Sequence, residues 1–295
     1  MRESNNPIMR GVIRDNKKDA NGYATFGTGL AGAGQASMTH GQQQHLEQYT
    51  QGYQAPAGIR PMTIDDVVTK TAMTLGVLIA VAVASYGIIA TSGGGDILAQ
   101  QKMALPFLAV GAIGGLVLVL IASFGRKQDN PAIVLAYAAF EGLFVGAISF
   151  VFGNMSVSDT SPGALIGQAV LGTIGVFVGM LIVYKVGAVR VTPRFTRMMT
   201  AGLVGVLVLM VGNLVLGMFG VETGLREAGP IGYIFSLVCI GLAAFSFLID
   251  FDAADQLIRA GAPSKAAWGV ALGLTVTLVW LYVEILRLLS YLNSD

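Results

Sequence analysis

Acidic side chains stand in this chain where a segment built only to lie in lipid would carry none. Asp250, Asp252 and Asp255 close one strongly apolar run, Phe247-Leu248-Ile249-Asp250-Phe251-Asp252-Ala253-Ala254-Asp255. Glu284 and Arg287 lie inside the next, Trp280-Leu281-Tyr282-Val283-Glu284-Ile285-Leu286-Arg287, and Glu141 lies in an earlier one. A charge at membrane depth costs about 2.5–3.5 kcal/mol even on the mildest scales, so each such residue marks a functional-site candidate whose partner must be sought.

Spacing limits the partners. Glu284 and Arg287 are three apart and can pair on one helix. Asp252 and Asp255 share a face, while Asp250 points roughly opposite Asp252. Asp250 and Glu284 are the carboxylates most firmly flanked by apolar residues on both sides. Brought together away from water they could not both ionise cheaply; they would share a proton and act as a pH switch. Deprotonated, their oxygens would suit a hard cation such as calcium. Asp252 is the alternative register for the first member of that pair. Arg287, Glu141 and Asp255 stand in support.

The chain between the two runs constrains this pairing. A short turn through Gly261-Ala262-Pro263 makes the flanking helices antiparallel neighbours. At about 1.5 Å per residue, Asp250 lies about half a span from the turn, whereas Glu284 is nearly twice as far along the following helix. Contact therefore requires the sixth helix to continue to about Leu257, or the seventh to be broken or re-entrant. Plainer roles also exist for each residue. Asp252 and Asp255 suit a solvated helix end, Glu141 could serve Tyr137 or Asn213 as a hydrogen-bond partner, and Arg287 could snorkel outward along its stem.

The elements that carry these residues follow from composition. Of 295 residues 54% are hydrophobic and only 12% charged, about half the charge density of a soluble domain. Windows long enough to cross about 30 Å of hydrocarbon fall at about 67–91, 104–124, 131–153, 163–185, 197–219, 230–251 and 265–292. The fold class is all-α, a polytopic bundle of seven transmembrane helices over residues 62–295. Pro61-Met62-Thr63-Ile64-Asp65-Asp66 reads as the first helix start, with Thr63 as cap and two aspartates at the positive end of the dipole. Residues 1–61, rich in Gly, Gln and Ala, read as a disordered cytosolic tail. That tail holds both histidines, His40 and His45, most simply solvated there.

Lys and Arg accumulate on one set of loops, including Arg126, Lys127, Lys185, Arg190, Arg194, Arg197, Arg259 and Lys265, against Lys102 and Arg226 on the other. This places the N-terminus in the cytoplasm and the C-terminus outside. Gly175 and Gly179, four apart, suggest a close helix approach. A net charge of +1 with few basic runs argues against nucleic acid as a partner. The single cysteine, Cys239, allows no intrachain disulfide and no cysteine-rich metal site. It has no histidine in its run to activate it, and there is no His-Glu-x-x-His motif, so an enzyme is not expected. No cofactor is expected either.

Taken together, Phe140-Glu141-Gly142, Ile249-Asp250-Phe251-Asp252 and Leu281-Tyr282-Val283-Glu284-Ile285 on seven apolar helices resemble the Bax-inhibitor family, also called the transmembrane Bax inhibitor motif or YccA-like family. The resemblance covers about residues 62–295. It implies six helices around a central seventh and a pH-sensitive calcium leak gated by an aspartate pair between helices six and seven. It also implies, in some members, restraint of a membrane protease or of cell death, without intrinsic flux as the alternative role. Calcium and protons, the lipid bilayer and a membrane-protein partner are the implied associates, and a bacterial plasma membrane the implied location. Carried over, the pair falls on Asp250, with Asp252 as alternative, and on Glu284, where glutamate replaces the usual aspartate. These two would be the calcium ligands.

Overall fold

In the computed structural model, which describes residues 60–155, 161–221 and 223–293, the first helix begins where a cap permits it. The Thr63 side chain accepts from the Asp66 amide, and the Asp66 carboxylate accepts from the Thr63 amide at 3.0 Å, a reciprocal capping box. From there α1 runs over Ile64–Thr91. Three consecutive glycines with positive φ, Gly93 to Gly95, turn the chain into α2 (Ile97–Phe124), which Asp96 caps. Then follow α3 (Pro131–Met155), α4 (Pro162–Lys185), α5 (Pro193–Met218), α6 (Pro230–Arg259) and α7 (Ala266–Leu292). Four of them start with proline, which fits a first turn whose N–H has no partner anyway. All seven are long and apolar enough to cross a membrane. The reading of residues 1–61 as a tail, His40 and His45 included, lies outside the described residues except for Arg60 and Pro61.

The seventh helix is the hub. Fifteen of its residues are buried, among them Leu274, Thr275, Leu281, Glu284 and Arg287. It packs directly on α1, α3, α4 and α6, while α2 lies mainly against α3, and α5 leans on α6. Only Met199 and Val206 of α5 are buried. Most exposed large apolar side chains therefore sit on α1, α2, α4 and α5, the surface a bilayer would cover.

Close approach occurs at glycines other than those anticipated. A Cβ at Gly142 or Gly146 of α3 would collide with α1 backbone, at Leu78 O and Ala82 O respectively, and one at Gly111 of α2 would meet Phe140 and Phe144 of α3. At Gly175 and Gly179 of α4 an added Cβ meets nothing within 4 Å, so that pair is no packing seam. The same spacing occurs in both places; only the first faces another helix. Replacing Gly146 with leucine should therefore cost about 1–3 kcal/mol or more by overpacking, whereas Gly175→Leu should be neutral. Thermal unfolding of the purified protein in detergent checks this, and equal midpoints for the two variants would sink it.

Turn chemistry closes the hairpin that matters most. Gly261, with φ 65°, follows the last turn of α6; its N–H donates to Ile258 O and the Ala262 N–H to Leu257 O. This is the Schellman arrangement, and it returns the chain into α7 antiparallel to α6. A strap from the start of the bundle locks the same turn. Met62 N donates to Ala262 O at 2.7 Å, Ser264 N donates to Arg60 O at 2.9 Å, and the Lys70 ammonium donates to Ser264 O while lying over the Trp268 ring.

Candidate functional site

The α6–α7 hairpin decides which acids can meet. Helix α6 continues to Arg259, past the point that the pairing of Asp250 with Glu284 requires. Its last two turns carry Asp252, which accepts from the Gln256 amide at 2.6 Å, and Asp255, which pairs with Arg259 at 2.8 Å. Both lie on the face near Tyr184 at the end of α4. Asp250 points elsewhere.

The partner of Asp250 across the hairpin is Thr277, whose hydroxyl donates to the carboxylate at 2.8 Å. Asp250 stands ten residues before the C-cap Ala260, and Thr277 eleven residues after Ala266, so the two lie at equal depth from the turn. Glu284 is seven residues further along α7, about 10 Å deeper at 1.5 Å per residue. Among the described contacts Asp250 and Glu284 share none, and the expected carboxylate pair does not form. Helix α7 is neither broken nor re-entrant, so the rise of an unbroken helix separates them. The same separation prevents the two from ligating one calcium ion, which needs 6–8 oxygens about 2.3–2.6 Å away.

Each acid instead has its own setting. Asp250 lies at a cavity of about 450 Å³ bounded by the α2–α3 loop and by α6 and α7, with Arg126, Gln128 and Asp129 at its loop side. Gly269 and Gly273 of α7 leave that space open: a Cβ at Gly273 would come within 3.8 Å of Asp250 Oδ1. Glu141 of α3 has Tyr137 as its hydrogen-bonding neighbour. Gly115 of α2 makes the room, since a Cβ there would come within 2.6 Å of Glu141 Oε2. Asn213, the alternative partner, instead accepts from the Thr223 hydroxyl.

Glu284 is 1% exposed and forms an ion pair with Arg287, itself 2% exposed. Arg287 does not snorkel to water. Trp280 also bonds Glu284, and Arg226, in the α5–α6 loop, brings a second cation near. Although Arg226 as a residue is exposed, desolvation of its charged end and the proximity of Arg287 hold its pKa below the usual arginine value. Its carbonyl accepts from the Tyr291 hydroxyl at 2.5 Å, which ties that loop to the end of α7.

Along the α6–α7 hairpin, then, a carboxylate at an open cavity near the basic loops gives way to a closed ion pair near the opposite end. Thr277 is the residue that sequence reading missed. A threonine inside an apolar run carries no charge to attract notice, and only counting outward from the middle of the turn, at Pro263 and Ser264, singles it out. Among the described residues no group of three or more His, Cys, Asp or Glu is placed to hold a metal ion.

Seven apolar helices, three of them carrying acids well inside their spans, define a polytopic integral membrane protein of the helical-bundle class. The chain matches the model of the family described as Bax inhibitor 1 like over residues 6–294, and it belongs to that family. A search of curated proteins found no match.

Proposed function

We propose that this protein is a pH-sensitive leak for cations, calcium among them, across the membrane it spans. The observation that carries the reading is Asp250, a carboxylate set at an open cavity and tied by Thr277 to the most buried helix of the bundle. One carboxylate switches the local charge between zero and minus one as it gains or loses a proton. Where the family resemblance implies two acids between helices six and seven, this chain sets an acid against a hydroxyl. Proton sensing then belongs to Asp250 alone, and separating its bond to Thr277 is the step that parts α6 from α7. Calcium passes as cargo: a single carboxylate and a hydroxyl attract it without supplying the full ligand set of a resident ion. The buried Glu284–Arg287 pair closes the far half of the route.

In this reading the cavity and the basic loops face the cytoplasm, the C-terminus lies outside, the membrane is a bacterial plasma membrane, and no bond of a substrate is broken or made. The test is calcium uptake into liposomes that contain the purified protein and a trapped indicator, followed across external pH. Uptake that exceeds that of protein-free liposomes and changes with pH supports the reading; uptake equal to theirs at every pH overturns it. A second reading, restraint of a membrane protease or another membrane protein, draws support from α5, which leans mainly on α6 and leaves most of its surface for a partner. A partner that copurifies with the wild type and is lost on substituting exposed α5 residues such as Val204 and Val208, with no flux in liposomes, favours it.

A further inference from the structure

In the half of the bundle away from the Asp250 cavity, a second cavity of about 490 Å³ opens between α1 and α4, with α3 and α7 behind it. Its size falls within the range of about 300–1,000 Å³ usual for small-molecule sites. Helices α1 and α4 are not among the pairs in close contact, so the gap between them gives onto the lipid-facing surface. Ile79 and Val83 on one rim and Ile174 on the other are exposed. Three of the four hydroxyls that line it are already engaged. Tyr282 and Ser149 bond each other at 2.7 Å, and Thr173 donates to Ala169 O at 2.8 Å. A polar ligand would lose its water and find little in return.

The shape also has a length. On α4 the lining runs from Gly163, in the first turn, to Ile174. Eleven residues of helix are about 16 Å, close to the hydrocarbon depth of one leaflet, about 15 Å as half of a 30 Å core. Its shallow end is left open by Gly163, where an added Cβ meets nothing within 4 Å, and its deep end reaches Leu278 and Val279, the residues that follow Thr277 on α7.

We propose that this cavity is a lipid site that takes one acyl chain of a phospholipid from the surrounding leaflet. The chain lies along the groove between α1 and α4, against the segment of α7 that carries Thr277 and Tyr282. The proposal does not depend on the flux reading, since its measurement is of bound lipid. The full-length protein, purified in mild detergent and incubated with palmitoyl-oleoyl phosphatidylglycerol, should retain about one phospholipid per chain through detergent exchange, as read by native mass spectrometry. Gly163→Phe and Val170→Trp, which fill the space from its shallow end and its rim, should lower retention about tenfold or more. Leu116→Trp on α2, equally lipid-facing but outside the lining of the groove, should leave it unchanged. The proposal is overturned if the wild-type protein retains no phospholipid, if it retains a free fatty acid or another apolar molecule instead, or if folded variants with the space filled bind as well as the wild type. The wild-type measurement decides even where a variant does not fold.

Discussion

Asp250→Asn should yield a protein whose cation leak no longer varies with pH. Asparagine keeps the shape and still accepts the Thr277 hydroxyl through its carbonyl, so the α6–α7 contact, 2.8 Å in the native chain, need not break. What disappears is the ability to exchange a proton and to present a negative charge at the cavity. Calcium flux should fall to the level of protein-free liposomes, or become constant across pH. Glu284→Gln is the informative comparison. Glu284 has no contact with Asp250 and is sealed at 1% exposure, so its loss should leave the pH profile in place even where it lowers the yield of folded protein. A pH profile unchanged by Asp250→Asn and abolished by Glu284→Gln would transfer the sensor to the deeper acid and reject the assignment made here.

The second large effect concerns stability. Arg287→Met leaves the Glu284 carboxylate at membrane depth without its ion-pair partner, and removing one member of a buried pair typically costs about 3–5 kcal/mol. Arg226 lies close enough to feel that charge, but it sits in a loop and cannot replace a partner on the same helix. The variant should therefore unfold at markedly lower temperature, or fail to accumulate. Replacing both, Glu284→Leu with Arg287→Met, removes the stranded charge and fills the space with hydrocarbon; such exchanges are often neutral or stabilising. Recovery of the unfolding midpoint in the double variant is the expected result. A double variant as unstable as Arg287→Met would mean that the pair supports the fold through bonds other than the mutual one.

How far the sequence alone reaches can be seen at individual residues. Hydropathy locates every span because lipid demands about twenty apolar residues in succession, and proline and glycine punctuate them. It ends the sixth helix at 251, among the first charges, whereas the helix continues to Arg259, its last turns carrying Asp255 and Arg259, four apart and paired along its surface. Charge draws attention to Glu284 as the cross-hairpin partner, yet partners across a hairpin are fixed by equal distance from the turn, and that position holds Thr277. Glycines cannot be sorted by spacing either. Gly142 and Gly146 meet a neighbouring helix and Gly175 and Gly179 do not, a difference that resides in tertiary placement alone. Pairing Glu141 with Tyr137 is legible from the four-residue helical step, whereas the space Gly115 provides for it comes from another helix.

The strap at the head of α1 has a mechanical corollary. Because Arg60 and Met62 are stitched to Ser264 and Ala262, the near ends of the first and last helices form one rigid anchor, and α7 cannot slide along its own axis there. The backbone of α6 joins this anchor through one left-handed glycine, Gly261, while its Phe247 and Phe251 pack in the same core as Met62. In the proposed gating, the parting of Asp250 from Thr277 would be a swing of α6 about that glycine, carrying the lightly attached α5 outward with it.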